Sequence, residues 1–133
     1  MSFIQIDNYS FHYHHYNGDG PDLVLLHGLA SNLNIWNKVV KRFNNPISEV
    51  TIAIVGKYTN LKDSYKSLVE ALYHGGIANK TKVNIKWIQA EKIENKNGIN
   101  LFNNVDGILV PGGFGLRGIE GKIRSSKYSR EKL

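Results

Sequence analysis

Strand and helix patterns alternate through the second half of the chain. Residues 50–56 form a short apolar run typical of a buried strand, and residues 82–88 alternate between apolar and polar positions. The segment between them carries an amphipathic stripe with helical spacing i, i+3, i+4, i+7, formed by Tyr65, Leu68, Val69 and Leu72. We predict that this helix starts at Asn60 or Asp63 and is capped by the glycine pair 75–76.

The pattern continues to the C-terminus with one more strand and one more helix. Residues 91–104 are polar and rich in Asn and Lys, which indicates a loop with at most a short helical turn. Residues 107–110 are an apolar strand, and residues 119–131 have a helical pattern. The order strand, helix, strand, loop, strand, helix predicts an α/β fold with an incomplete, mostly parallel sheet and covering helices.

The first part of the chain is predicted to be rich in β structure. Residues 3–7 alternate apolar and polar positions, residues 11–16 are aromatic, and residues 23–26 form a continuous apolar run of the buried-strand kind. The cluster of Asn, Gly, Asp and Pro at 17–21 indicates a turn. A helix over residues 34–43 follows, with Ser31 or Asn32 as its N-cap.

The composition is that of an ordinary globular domain without cysteine. The chain has 133 residues, 41% of them hydrophobic, which is the length of one domain and enough apolar material for a buried core. The absence of cysteine excludes disulfides, thiolate metal sites and a cysteine nucleophile within this sequence.

The net charge of +6 does not by itself indicate nucleic-acid binding. Residues 1–48 carry three basic and three acidic side chains, so the whole excess is spread thinly between Lys57 and Lys132. No stripe of interleaved aromatic residues accompanies it for stacking on bases. We therefore expect a solvated basic surface and no nucleic-acid partner.

Neither a membrane nor a metal ion is indicated. The apolar runs at 23–26 and 52–55 are far too short to cross a bilayer, and the N-terminus lacks the features of a secretory signal. We therefore expect a cytoplasmic location. His12 and His14 would share one strand face, but no third ligand stands at a convincing spacing, and we predict no metal site.

A glycine-rich segment after the last predicted strand is the strongest candidate for a functional site. Residues 105–122 read VDGILVPGGFGLRGIEGK, in which Pro111 ends the strand because proline has no N–H for a sheet ladder. The glycines that follow let the backbone turn sharply and bring N–H groups close to a ligand. Open α/β sheets place their sites at such turns, at the carboxyl ends of parallel strands.

Two motifs resemble the glutamine amidotransferase domain of CTP synthases. The sequence PGGFGLRGIEGKI resembles the oxyanion loop of that domain, and VTIAIVGKYTNLKDSYKSLVEALYHGG, at family spacing upstream, resembles its opening strand, loop and helix. The resemblance covers about residues 36–133. It implies a linker helix over 36–48 and a truncated class-I amidotransferase domain with flavodoxin-like layering over 49–133.

The resemblance implies a role for each matching residue. The backbone N–H of Gly113 would donate to the oxyanion of glutamine hydrolysis, Gly112 would allow the turn, and Phe114 would wall the glutamine pocket. The segment resembling the lid that communicates with the allosteric nucleotide GTP comprises Arg117, Gly118, Ile119 and Glu120. The residues expected to organise the contact with the synthetase domain are Lys57, Tyr58, Asp63 and Tyr65, although the family usually has alanine where Ser64 stands.

The same residues also allow a purely structural interpretation. The glycines could form a tight turn between strand and helix, with Arg117 and Glu120 solvated. Lys57 and Tyr58 could be a strand-end turn, Asp63 a helix cap and Tyr65 a core aromatic.

Further properties of the family are implied for the parent enzyme and not for this chain. CTP synthases use L-glutamine, ATP, Mg²⁺ and UTP, with GTP as activator, and the family's nucleophile is a cysteine that follows the last helix of this segment. Because this sequence has no cysteine, we predict a fragment of a glutamine-hydrolysing CTP synthase that is inactive alone. It would need no cofactor, and it would bind glutamine weakly or not at all without the rest of the domain.

Two other interpretations remain open. Residues 1–35 resemble the start of an α/β-hydrolase, in which the turn His27–Gly28–Leu29 would follow a buried strand and the N–H of Leu29 would serve an oxyanion hole. No G-x-S-x-G motif follows, so such a segment would be a remnant. The third interpretation is a non-catalytic α/β module that binds an anion or a partner. In each case we expect a marginally stable fold, since open sheet edges favour association.

Overall fold

The computed structural model describes residues 2–18, 24–113 and 115–133. They form two compact units, Met1–Asn44 and Asn45–Leu133. The domain boundaries expected at residues 35 and 48 stay predictions. Within the described residues, the model contains no helix with the length and apolarity that crossing a membrane requires.

The first unit consists of a hairpin and a short helical segment. Strands β1 (Ser2–Ile6) and β2 (Tyr9–Tyr13) pair antiparallel around a turn in which Asp7 has φ 54°. A 3-10 turn at Leu33–Trp36 leads directly into helix α1 (Asn37–Asn44). The side chain of Asn32 accepts a hydrogen bond from the N–H of Asn34 at 2.9 Å, so Asn32 is the N-cap of the 3-10 turn.

The predicted buried strand at 23–26 is wrong for its described residues. Residues 24–28 have no regular structure, and the side chains of Val24 and Leu26 are 76% and 78% exposed. A continuous apolar strand is stable only when neighbours cover it on both sides. Among the described residues of this unit, β1 and β2 pair only with each other. Leu23 and the turn residues 19–21 lie outside the described residues.

The second unit is an α/β layer structure. Its elements, in chain order, are β3 (Ser48–Gly56), a 3-10 turn (Lys62–Tyr65), α2 (Lys66–Asn79), β4 (Thr81–Gln89), α3 (Ala90–Ile93), a second 3-10 turn (Gly98–Phe102), β5 (Gly107–Leu109) and α4 (Ile119–Lys132). The three strands are parallel in the order β4-β3-β5. This arrangement confirms the predicted α/β fold with a mostly parallel sheet.

The short strand β5 is held in register at its beginning. The N–H of Thr51 donates to Oδ2 of Asp106 at 2.8 Å, and the N–H of Asp106 donates to the carbonyl oxygen of Thr51 at 2.9 Å. The adjacent pairs follow from Ile52 opposite Gly107. A side chain at Gly107 would meet Cδ1 of Ile52 at 2.9 Å, which is the far end of a flexible side chain.

One face of the sheet carries the main hydrophobic core. Its fully buried members include Ala53, Val55, Ile93 and Phe102, and the ring of Phe102 stacks on Tyr128 of α4 with centroids 5.1 Å apart. The prediction of a loop with a short helical turn at 91–104 is therefore correct in kind but incomplete, because two short helical elements lie there and Ile93 and Phe102 are buried. Its few apolar residues enter the core from two very short helical elements, which are too short to show a period in the sequence.

Helix α2 covers the opposite face and runs longer than predicted. It continues through Gly75 and Gly76 and ends at Asn79, and its C-cap Lys80 has φ 55° in the left-handed region. The predicted glycine C-cap is thus wrong. A side chain at Gly76 would lie 2.6 Å from the carbonyl oxygen of Thr81 and 2.8 Å from Cγ2 of Val83, so glycine is needed there for close packing on β4.

Candidate functional site

The glycine loop lies where the chain switches direction across the sheet. From the central strand β3, the chain places β4 on one side and β5 on the other. In parallel sheets this change of order opens a crevice at the carboxyl ends of the two adjacent strands where it occurs, which here are β3 and β5. Here the crevice is bordered by Lys57 and Tyr58, which follow β3, and by the glycine loop, residues 110–118, which follows β5.

Lys57 connects the two loops. The residue is only 7% exposed, and its Nζ donates to the carbonyl oxygen of Gly115 at 2.6 Å. In the opposite direction, Nη2 of Arg117 donates to the carbonyl oxygen of Lys57 at 3.0 Å. The end of β3 and the end of the glycine loop are therefore cross-linked by two charge-assisted hydrogen bonds, which are stronger than neutral ones.

Arg117 is further fixed by two neighbours. Its Nε pairs with Oε1 of Glu91 at 3.1 Å, and its guanidinium lies 5.5 Å from the centroid of the Tyr58 ring. These contacts join the segment that follows β3, the start of α3 and the glycine loop. An exposed ion pair alone contributes little, but the planar guanidinium here satisfies three partners in one geometry.

Lys122 holds the other end of the loop. Its Nζ donates to the carbonyl oxygen of Pro111 at 2.9 Å, and a side chain at Gly113 would come within 3.2 Å of the same nitrogen. Burial lowers the pKa of Lys122 below its ordinary value, and the nearby positive charge of Lys57 lowers it further. Two ammonium groups therefore approach the loop from its two ends.

The N-terminus of α4 is seated on α3 through glycines. Gly118 has φ 73°, and a side chain there would also meet Cβ of Ala90 at 2.9 Å. A side chain at Gly121 would overlap the carbonyl oxygen of Ala90. Arg124 completes the contact by donating to the carbonyl oxygen of Glu94 at 2.7 Å. This close packing sets where the glycine loop enters the helix.

The predicted oxyanion residues lie at the exposed edge of the crevice. Gly112 and Gly113 are exposed, and among the described residues none accepts a hydrogen bond from the N–H of Gly113. Phe114, the predicted wall of the glutamine pocket, lies outside the described residues. Gly113 is thus an exposed residue of the glycine loop, and the role of its N–H stays a prediction.

The other predicted residues divide between the crevice and its support. The hydroxyl of Tyr65 is buried under the end of β3 and accepts from the N–H of Tyr58 at 3.4 Å. Asp63 instead lines a cleft of about 380 Å³ between α2 and β4. The N-caps of the 3-10 turn and of α2 are Leu61 and Tyr65, so Asp63 lies in the first turn and is not the helix cap. Glu120 is exposed in the first turn of α4.

The residues with hydrolase resemblance form no enclosed site within the first unit. His27 and Gly28 are exposed, and Leu29 is fully exposed. A side chain added at Gly28 would meet no atom within 4 Å. An oxyanion hole needs donors fixed in a water-excluded site, and the described residues of this turn do not provide one.

Two residues of the crevice were missed from the sequence. Glu91 and Lys122 are ordinary surface charges by pattern, yet both contact the glycine loop. Among the described residues, no three His, Asp or Glu side chains lie close enough together to hold a metal ion. The side chains that contact the glycine loop include the positive charges of Lys57, Arg117 and Lys122. Backbone N–H groups beside fixed positive charges suit a developing negative charge on a ligand.

Comparisons with known proteins agree on one family. The profile of the family described as "Glutamine amidotransferase class-I" matches residues 60–133. The CTP synthase of Brucella anthropi is 62% identical over 97 residues, which are 73% of this chain and 18% of that protein. The CTP synthase of Rhodopseudomonas palustris strain BisA53 is 52% identical over 123 residues, which are 90% of this chain and 23% of that protein. The chain thus spans about a fifth of the length of these curated relatives.

A solved structure supports the same relationship. The glutaminase domain of Trypanosoma brucei CTPS with bound acivicin aligns with a TM-score of 0.55 and 36% sequence identity, over 62% of this chain and 33% of that one. The α/β-hydrolase alternative is not favoured. The Rhodopseudomonas alignment covers 90% of the chain, so it extends into the first 35 residues.

Proposed function

Because the chain belongs to the class-I glutamine amidotransferase family, we propose that residues 49–133 supply the oxyanion-loop part of a glutaminase site of the CTP synthase type. The observation that carries this proposal is the glycine loop anchored at the topological switch point by Lys57, Arg117 and Lys122. A loop fixed in this way can present N–H groups without reorganising when charge develops on a substrate.

The proposed chemistry is acyl transfer from the side-chain amide of L-glutamine. A thiolate attacks the amide carbon and forms a tetrahedral intermediate that carries an oxyanion. The C–N bond then breaks, the nitrogen takes up a proton and leaves as ammonia, and water hydrolyses the resulting thioester to glutamate and the free thiol. The N–H of Gly113 stabilises that oxyanion, and Gly112 permits the turn. The thiolate must come from outside this sequence, since the sequence contains no cysteine. The proposal is therefore that this chain contributes half of a site and does not hydrolyse glutamine alone.

The partners follow from the same proposal. The ammonia would be used by a synthetase domain that aminates UTP to CTP with ATP and Mg²⁺, and Lys57, Tyr58, Asp63 and Tyr65 would organise the contact with it. GTP would act through Arg117, Gly118 and Glu120. Arg117 supports this idea because its guanidinium already joins the glycine loop to Tyr58 and Glu91.

A segment exchange in an intact enzyme tests the proposal. The 97 residues of Brucella anthropi CTP synthase that align with this chain would be replaced by the corresponding residues of this chain, and ammonia release from glutamine would be measured. We expect the exchanged enzyme to hydrolyse glutamine. Gly113→Pro in the exchanged segment removes one donor, and we expect kcat to fall by about 10²–10³. Gly75→Ala, whose new side chain would meet nothing within 4 Å, is the control.

Two results would count against the proposal. An exchanged enzyme that melts cooperatively and still makes CTP from free ammonia, yet does not hydrolyse glutamine, would show that this glycine loop does not build the site. Ammonia release by this chain alone, clearly above that of its Gly113→Pro variant, would show that the nucleophile is not the missing element.

A further inference from the structure

We infer that Lys57 is a positioning residue for the glycine loop, acting through the carbonyl oxygen of Gly115; its catalytic meaning rests on the function proposed above. The inference concerns the conformation of the loop and not contact with the substrate. It adds to the synthetase-contact role proposed above, because the buried side chain of Lys57 bonds the glycine loop of this chain.

Burial of the ammonium group is the first observation. Lysine is rarely buried without a partner, since removing its charge from water is costly. Lys57 is 7% exposed, and its Nζ lies 2.6 Å from the carbonyl oxygen of Gly115. A lysine that served only to solubilise the end of β3 would extend into water. This one is held against the backbone of the loop that follows β5.

The hydrogen bond from Lys57 to the carbonyl of Gly115 also fixes the direction of the next N–H group. The C=O and N–H of a trans peptide point in opposite directions across a planar unit. Because the carbonyl of Gly115 faces Lys57, the N–H of Leu116 faces the other way. By the same argument Lys122, bonded to the carbonyl of Pro111, turns the N–H of Gly112 away from itself. The two lysines therefore set the orientation of peptide groups on both sides of Gly113.

The composition of the loop explains why external anchors are needed. Glycines lose more conformational freedom on ordering than any other residue. Three of the five residues between Pro111 and Gly115, ends included, are glycine. An oxyanion donor must be fixed before reaction. The hydrogen bonds of Lys57, Lys122 and Arg117 supply ordering that the glycines themselves do not.

The first test uses the full chain and does not depend on any activity. Amide signals of the isotopically labelled protein would be compared between wild type, Lys57→Met and the control Lys86→Met. Lys86 also bonds a carbonyl, that of Asn103 at 3.2 Å, but away from the loop. We expect Lys57→Met to shift or broaden the signals of Gly112, Gly113 and Leu116 while those of β4 stay in place. Unchanged loop signals would overturn the inference.

The absence of cysteine permits a sharper version of the test. In Lys57→Cys the new thiol is the only one in the chain, so it can be alkylated in denaturant with 2-bromoethylamine or 1-iodopropane before refolding. The two products have side chains of equal length that differ in carrying an ammonium or a methyl group. We expect only the ammonium form to restore the wild-type loop signals. Equal restoration by both forms, or by neither when both refold, would contradict the inference.

The second test separates this inference from the proposed function. In the segment-exchanged enzyme, Lys57→Met is expected to lower kcat for glutamine hydrolysis by about 10²-fold, the typical effect of displacing a reacting geometry by about 1 Å. Lys57→Met should change KM by less than about twofold, and Lys86→Met should change neither parameter. If the parent exchanged enzyme is inactive, the proposed function fails and the loop signals still decide on Lys57. If the enzyme is active and Lys57→Met is equally active, only the role of Lys57 fails.

Discussion

For the substitution Gly121→Ala, two physical effects predict changes of opposite sign in the free energy of unfolding. Glycine within a helix is about 1 kcal/mol less favourable than alanine, so helix propensity alone predicts stabilisation. The packing of α4 on α3 predicts the reverse. A side chain at Gly121 would overlap the carbonyl oxygen of Ala90 and lie 3.3 Å from its Cα. Ala90 is fully buried, so its backbone has no room to yield.

The balance of the two effects can be estimated from these contacts. Overpacking in a filled core costs about 1–3 kcal/mol, and a clash with backbone lies at the upper end of that range. Subtracting about 1 kcal/mol for propensity leaves a net loss of about 2 kcal/mol. Gly75→Ala is the matched control, because Gly75 also lies in a 14-residue helix and its new side chain would meet nothing within 4 Å. We expect that variant to gain up to about 1 kcal/mol.

Urea unfolding followed by the fluorescence of Trp87 measures both values. A Trp36→Phe background leaves Trp87, in β4, as the reporter of the second unit. With a slope of about 1.5 kcal/mol/M, the midpoint of Gly121→Ala should fall by about 1.3 M, and that of Gly75→Ala should rise. A Gly121→Ala midpoint at or above wild type would refute the reasoning, because α4 would then not be seated closely on α3.

Three further predictions follow from individual contacts. Gly76→Ala should destabilise the chain by about 1–3 kcal/mol, since the new methyl group would lie 2.6 Å from the carbonyl oxygen of Thr81; a urea midpoint equal to wild type would contradict this. The side-chain hydrogen bond from Asn84, followed by the charge of Lys82, lowers the pKa of Glu49 below its ordinary 4.5. The ionised carboxylate of Glu49 therefore stabilises the folded chain above about pH 4.5, and this stabilisation is lost as the pH falls through the lowered pKa. Glu49→Gln should therefore remove part of the loss of stability in acid, and unfolding curves between pH 3 and 6 that are parallel for both proteins would rule the effect out. Burial lowers the pKa of Lys122 in the folded chain, so the unfolded chain binds more protons between the lowered pKa and the ordinary 10.5. The free energy of unfolding should therefore rise with pH in this window. In Lys122→Met the rise should disappear, and a rise that persists would exclude Lys122 as its source.

The sequence predicted the elements that have a clear period or a strong breaker. Strands β3 and β4, the stripe of α2, the parallel sheet and the glycine loop after β5 all agree with the structure. Periodicity identifies β3, β4 and α2 because each of them is long enough to bury a regular face. The glycine loop is visible because Pro111 ends the strand before it.

The errors share one cause, which is that tertiary packing decided the local structure. The glycine pair predicts a helix end at Gly75 and Gly76, whereas the helix continues to Asn79 and needs Gly76 for contact with β4. The pattern of residues 91–104 does not show which of them are buried, because their core residues come from elements of four and five residues. Residues 24–26 have strand propensity but no described neighbour to pair with.

The candidate site was predictable only in part for a similar reason. The glycines are visible in the sequence because they are close together. Their anchors are not, since Lys57 and Gly115 are 58 positions apart and Arg117 and Glu91 are 26 apart. Nothing in the pattern distinguishes a lysine that bonds a distant carbonyl from one that faces water.

The measurement that tests the central claim most directly is glutamine hydrolysis by this chain and by the segment-exchanged Brucella anthropi enzyme, assayed side by side as ammonia release. We predict no hydrolysis by the chain alone, hydrolysis by the exchanged enzyme, and a loss of about 10²–10³ in kcat when Gly113 of the exchanged segment becomes proline. A folded exchanged enzyme that uses free ammonia but not glutamine, or one that is indifferent to Gly113→Pro, would contradict the claim that this loop is half of a glutaminase site.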